Sequence, residues 1–172
     1  MPELRTKRLK LIPLTLTQLQ LYLVSPRQLE KELGYPIARG NFNDTVTRAI
    51  NIKISKMAQA DERGHPWYTY WLIVITAQAR GAGLAGFKDY PNEQGEVEIG
   101  YGIDPAFRNK GYTTEAVQAL IAWAFQHSHC TAVIAETVEP NAPSHRVLEK
   151  VGMHIYDETE QALWWRIEKH KT

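Results

Sequence analysis

The sequence holds one cysteine, Cys130, so no intramolecular disulfide can form and the fold must be held by its core. A lone thiol fits a reducing compartment. Long hydrophobic runs are missing too: no stretch approaches the roughly 20 apolar residues that a membrane-spanning helix needs, so no membrane partner is expected. Charge of one sign is not in excess. Lys and Arg number 20 against 19 Asp and Glu, a net charge of +1, which gives no broad field for nucleic acid or an anionic surface. There is no internal repeat, low-complexity tract or long linker, and residues 1–172 are expected to form one domain. The long phosphate loop G-x-x-x-x-G-K-[ST] is absent, which argues against that kind of nucleotide site. The opening MPELRTKRLKLIPL meets charges before any apolar run, unlike a secretory signal, and the expected location is cytoplasmic.

What is present suits a folded domain with room for a cleft: 172 residues, 44% of them hydrophobic. Leu9 to Leu14 reads as a strand, and TQLQLYLVS and PRQLEKEL as two short helices broken at Pro26. A longer helix is expected from Asp44 to Asp61, with Asp44 as N-cap and Val46, Ile50, Ile54 and Met57 at helical spacing. Tyr70 to Ile75 and Gly83 to Tyr90 then form a strand meander. A further strand, Glu96 to Ile103, follows the turn Pro91-Asn92-Glu93-Gln94-Gly95. Ala116, Val117, Leu120, Ile121, Ala124 and Phe125 make one apolar helical stripe. Thr131 to Val138 is a strand, Asn141 caps a short helix that Gly152 can end, and Met153 to Thr159 and Leu163 to Glu168 close the chain as paired strands. Strand, turn, helix, strand and helix from Glu96 to Gly152 place two strands parallel through a helical crossover.

Between the strand EVEIGYGIDP and the helix TTEAVQALIAWAF lies Arg108-Asn109-Lys110-Gly111-Tyr112-Thr113. A glycine turn that ends a strand and opens a helix presents unpaired N–H groups at the positive end of the helix dipole, which suits a phosphate. Gly111 allows close approach of backbone to an anion, and Arg108 and Lys110 add positive charge. The same string would also serve as an ordinary basic turn.

Together, R-N-K-G-Y-T, the upstream V-E-I-G-Y-G-I-D-P and the downstream V-E-P-N-A-P-S-H-R-V-L-E-K-V-G-M resemble the motifs of the GNAT N-acetyltransferase superfamily, over about residues 96–153. Both N-x-x-S-x-R-V-L-E-K-x-G and the opening R-T-K-R-L-K-L-I-P-L are similar to the branch of ribosomal-protein N-terminal acetyltransferases. The turn departs from [QR]-x-x-G-x-[GA] at Thr113, whose hydroxyl can still bond a phosphate oxygen. The resemblance implies a GNAT-like α/β (α+β) fold, an acyl-CoA N-acyltransferase fold. Its central sheet would be mixed and mostly antiparallel, with about six or seven strands and helices on both faces.

It also implies acetyl coenzyme A as acyl donor, no metal, and an amine acceptor, either a protein N-terminus or a small molecule. Backbone from Asn109 to Thr113, including Tyr112, would hold the pyrophosphate with Arg108 and Lys110, and backbone near Ile103 and the side chain of Asn141 would contact the donor. Glu98 is the implied general base, with Glu96 two residues earlier on the same strand face as fallback. The residues alone read equally as solvated carboxylates. Where many members of the family carry a tyrosine this chain has Leu148, and Ser144 is the implied hydrogen-bond donor to the departing sulfur. Asn141 and Ser144 would otherwise be plain first-turn residues of a helix. The acceptor pocket is expected to be shaped by Gly34-Tyr35-Pro36 and the turn near Glu160. A catalytically silent module that senses acyl coenzyme A is the alternative, and oligomeric state is left open.

His127 and His129 lie two apart at a helix end and should point in different directions, which makes a metal pair unconvincing. Trp67, Tyr68, Tyr70 and Trp71 read as sheet packing, and of Trp164 and Trp165 only one should face the core.

Overall fold

The structure, a computed structural model, describes residues 1–138 and 140–170. Its frame is one eight-stranded sheet. The strands are β1 (Leu4–Arg5), β2 (Leu9–Pro13), β3 (Trp71–Ile75), β4 (Arg80–Phe87), β5 (Glu96–Ile103), β6 (Ala132–Val138), β7 (His154–Glu158) and β8 (Ala162–Glu168). Their order across the sheet is β1-β2-β3-β4-β5-β6-β8-β7. Every neighbouring pair is antiparallel except β5 and β6, which run parallel. The parallel pair is dictated by its connection, because α5 (Tyr112–Phe125) crosses between the two strands. The sheet exceeds the expected six or seven strands because β1, only two residues long, adds an edge through Leu4↔Leu11 and Arg5↔Lys10.

Two cores cover the two faces. On one, Ile73, Phe87, Val97 and Ile99 pack with Val117, Leu120, Ile121 and Ala124 of α5 and with Leu148 of α6 (Ala142–Lys150). On the other, Ile12, Leu14, Leu72, Val74 and Leu84 pack with side chains of α1 (Leu16–Val24), α2 (Pro26–Leu33) and α3 (Asp44–Gln59). Strand β3 serves both, so every residue of WLIVI is buried. Each large apolar side chain buried in these layers contributes about 1.5–3 kcal/mol. A short helix, α4 (His65–Tyr68), places Trp67 against Trp123, with ring centroids 4.6 Å apart. Trp165 is buried and Trp164 half-buried, the alternation expected of a strand. Among the described residues no helix is long and apolar enough to cross a membrane.

Helix α3 starts as the sequence suggests but with a different cap. Asn43 Oδ1 accepts from Val46 N at 3.0 Å, and Asp44 is the first helical residue, where a carboxylate favours the dipole. The helix stops at Gln59, since Asp61 instead caps a 3₁₀ turn at Glu62–Gly64.

Lys53 of α3 is 5% exposed. Its ammonium donates to the carbonyls of Phe87 at 2.5 Å and Tyr68 at 3.3 Å and lies over the Tyr70 ring, 4.4 Å from the centroid. Burial, aided by the ammonium of Lys56, pulls its pKa down to about 7; Asp89 opposes this and Lys88 adds to it. The unfolded chain therefore binds one more proton than the folded chain between pH 7 and 10.5, and stability rises with pH across that window. Cys130, whose thiol is raised by burial to about 11, offsets this gain only above pH 9. A gain of roughly 3–6 °C in Tm from pH 7 to 8.5 is expected. In Lys53→Met the slope over this range should vanish; an unchanged slope would remove Lys53 as its source.

Candidate functional site

Strands β5 and β6 pair only at Glu96↔Ala132, Val97↔Val133 and Glu98↔Ile134. Beyond Glu98, β5 stays with β4 from Ile99↔Phe87 to Ile103↔Gly83, while β6 stays with β8 from Ala135↔Trp165 to Val138↔Ala162. The sheet thus splits, and backbone groups facing the gap are free to bond a ligand lying between the strands. A cleft of about 650 Å³ opens from this split. Ile103, Arg108, Asn109, Gly111, Tyr112, Thr113, Asn141 and Ser144 all line it, together with Tyr101 and Val147.

The turn into α5 is built for close approach. Asn109 and Gly111 have φ of 60° and 78°, and Gly111 is the N-cap with no side-chain cap bond, so the first N–H groups of α5 face outward. A Cβ at Gly111 would sit 3.2 Å from Arg8 Nη2. These features fit a bound pyrophosphate. Lys110 is turned aside, its ammonium donating to Ala106 O at 3.1 Å, and it is not among the cleft residues.

Arg8, which sequence reasoning passed over, holds this turn from 107 residues away in the chain. Its Nε donates to Glu115 Oε2 at 2.7 Å, its Nη1 to Lys110 O at 2.8 Å and its backbone N–H to Glu115 Oε1 at 2.8 Å. The guanidinium lies 4.7 Å from the centroid of the Tyr112 ring. Burial works against a charged Glu115, but bonds from Thr6 and Arg8 outweigh it and hold this carboxyl below the usual carboxylate range. The net effect is a rigid turn whose one first-turn acid is already neutralised. Arg8→Ala is expected to weaken binding of a pyrophosphate-bearing ligand at this turn about tenfold, and Arg8→Lys to restore only part of the loss because it lacks the planar fork. Calorimetric titration with such a ligand checks this.

At the other wall, Asn141 Oδ1 accepts from Ser144 N at 3.3 Å, which caps α6 and turns Ser144 into the cleft. The Tyr101 hydroxyl donates to Ser144 O at 3.4 Å. Leu148 is fully buried in the core. Asp104, also unpredicted, ties the loop before α3 to the end of β5: Oδ2 accepts from Gly40 N at 2.5 Å and Oδ1 from Ala106 N at 2.9 Å. The same loop brings the Asn41 amide over Gly102. Gly40 and Asn41 of this loop therefore reach the end of β5.

Glu98 is not in the cleft wall. Along β5 it shares a face with Glu96, Gly100 and Gly102, opposite the face of Val97, Ile99, Tyr101 and Ile103, which packs toward α5 and α6. Its carboxylate is ion-paired with Lys88, and its backbone carbonyl accepts from Lys88 N at 2.8 Å. Glu96 is ion-paired with Arg166, whose hydrogen bond holds the Glu96 carboxyl below the usual range, so it is a poor proton acceptor. Because the split begins at Glu98, a group lying between β5 and β6 has the cleft on one side and the face of Glu98 on the other.

His127 and His129 do converge, with ring centroids 5.6 Å apart, contrary to the expectation that they diverge. They belong to an aromatic stack in which Tyr90 lies on His129 at 4.7 Å and Trp123 meets His127 at 4.5 Å. Among the described residues no group of three or more His, Cys, Asp or Glu is placed to hold a metal.

The parallel pair β5 and β6 thus splits beside the glycine turn that opens α5. The family model described as Acetyltransferase (GNAT) domain matches residues 8–154, and the chain belongs to this family of acetyltransferases. It is 29% identical over 162 residues to YjdG, an uncharacterized N-acetyltransferase of Bacillus subtilis (strain 168), spanning 94% of this chain and 95% of that protein. Among solved structures, a GNAT acetyltransferase from Bacillus anthracis superposes with a TM-score of 0.65 at 21% identity, covering 97% of this chain and 98% of that one. RimL, a ribosomal L7/L12 α-N-protein acetyltransferase solved in complex with coenzyme A, superposes with a TM-score of 0.69 at 13% identity, covering 97% and 98%. The protein is an acetyltransferase that moves an acyl group from acyl coenzyme A.

Proposed function

We propose that residues 1–172 act as one N-acetyltransferase domain that passes an acetyl group from acetyl coenzyme A to a primary amine by direct attack in a ternary complex, with a peptide amino terminus as the acceptor. The observation that carries this reading is the split after Glu98↔Ile134, which has the cleft and the glycine turn of α5 on one side and the face of the Glu98 carboxylate on the other. In it, the N–H groups of residues 109–113 hold the pyrophosphate with Arg108, and backbone near Ile103 lines the pantetheine arm. Asn141 orients the start of α6. Glu98 receives the proton from the attacking amine, and Ser144 faces the departing sulfur.

Acceptor class is supported by two considerations. A peptide α-amine has a reference pKa near 8 against about 10.4 for a lysine side chain, so a single carboxylate paired with Lys88 has less to do for a peptide terminus. RimL, similar in fold, acts on a protein α-amino group by its name. The test is release of free thiol from acetyl coenzyme A by the purified protein with a panel of peptides, polyamines and small amines. Turnover with α-amino peptides supports the reading; turnover only with non-peptide amines would overturn the acceptor class. Coenzyme A binding without thiol release from any acceptor would favour a silent sensor.

A further inference from the structure

Within the acetyl-transfer reading proposed above, cleavage of the C–S bond leaves negative charge on sulfur, and a thiol has a reference pKa of only about 8.5. A donor placed where that charge develops accelerates the step. The hydroxyls lining the cleft are those of Tyr101, Tyr112, Thr113, Thr114 and Ser144. Tyr112, Thr113 and Thr114 belong to the first turn of α5, beside the phosphate site. Tyr101 and Ser144 are at the split.

Tyr101 has three properties that single it out. It lies on β5 three residues past Glu98, the last residue paired with β6, so its ring flanks the open gap. It is on the opposite face of β5 from Glu98, so a base and a hydroxyl approach the gap from its two sides. Its present bond to Ser144 O is long at 3.4 Å, so the O–H can turn to a better acceptor at little cost. Burial pushes the phenol up to about 12, the Ser144 bond only partly offsetting it, so the hydroxyl carries its proton throughout the neutral range. A phenol that weak cannot surrender its proton to a thiolate; it can only share it.

We propose that Tyr101 donates a hydrogen bond to the sulfur of coenzyme A as the thioester breaks. The amine nitrogen forms the C–N bond with the thioester carbonyl carbon, the C–S electron pair passes to sulfur, and the amine proton goes to the Glu98 carboxylate. Coenzyme A departs as a thiolate held by the Tyr101 O–H, which keeps its proton; solvent later protonates the thiolate and relieves Glu98.

The test is a pH titration of the thiol of bound coenzyme A, followed by thiolate absorbance, in the wild type and in Tyr101→Phe, with calorimetry to verify binding. The wild-type complex should titrate about one pH unit below free coenzyme A, and Tyr101→Phe should return to the free value while losing about tenfold in kcat with little change in KM. A wild-type thiol that titrates like free coenzyme A, or a variant that titrates like the wild type, would overturn the assignment of Tyr101 and leave the acetyl-transfer reading standing. A variant that no longer binds coenzyme A would mean that Tyr101 serves donor binding instead. Absence of coenzyme A binding to the wild type would overturn both.

Discussion

Glu98→Gln should lower kcat by about 100-fold or more while coenzyme A binds as before. Glutamine keeps the volume and the hydrogen-bonding reach of glutamate but cannot accept a proton. The loss therefore isolates proton removal from substrate positioning. Glu98 also pairs with Lys88, so the acceptor amine must displace an ammonium to reach the carboxylate. For that reason Lys88→Met alone should not reproduce the glutamine variant. The pH profile of kcat/KM adds a second readout: the wild type should rise with pH toward the pKa of the acceptor amine, and the variant should retain only the steeper dependence of unaided amine deprotonation. Full activity of Glu98→Gln across the pH range would remove it from the mechanism. Glu96 would not inherit the role, because the Arg166 guanidinium holds its carboxyl well ionised.

Gly111→Val should raise the Kd for coenzyme A at least about tenfold, with the fold retained. Gly111 has φ of 78°, a conformation that a β-branched residue adopts only under strain. Its Cβ would also press on Arg8 Nη2 at 3.2 Å. Relief of the strain must come from rotating the turn or displacing Arg8, and either change moves the N–H groups at the start of α5. Calorimetry gives the affinity, and the Tm checks that the fold survives. Because Gly111 is exposed, the loss should fall on donor affinity more than on stability. An affinity within about twofold of the wild type would place the pyrophosphate elsewhere.

The parts of this site that could be read from the sequence are those whose signal is local. The turn Arg108 to Thr113 announces itself because glycine, basic residues and a strand-to-helix change of period all fall within a few positions. The parallel pairing of β5 and β6 follows from the helix between them, although the point where they part is a tertiary feature that periodicity does not carry. Arg8 was illegible for a related reason: in R-T-K-R-L-K it resembles a solvated basic run, and its partners Lys110 and Glu115 come to it only through folding. Lys110, more conspicuous in the motif, turns back on Ala106. Lys53 did leave a trace that charge obscured. It lies three residues after Ile50 and four before Met57, on the helical face those two buried residues define. The convergence of His127 and His129 was missed because spacing on a helix says nothing once the chain has left the helix, and α5 ends at Phe125.

The central claim is that the donor lies along the turn of α5 with its sulfur in the gap between β5 and β6. A crystal structure of the protein with coenzyme A tests it most directly. The pyrophosphate should lie against the N–H groups of Gly111 to Thr113, with the sulfur at the split, Tyr101 and Ser144 on one side and the face of Glu98 on the other. Coenzyme A bound with its sulfur away from that gap would contradict the claim.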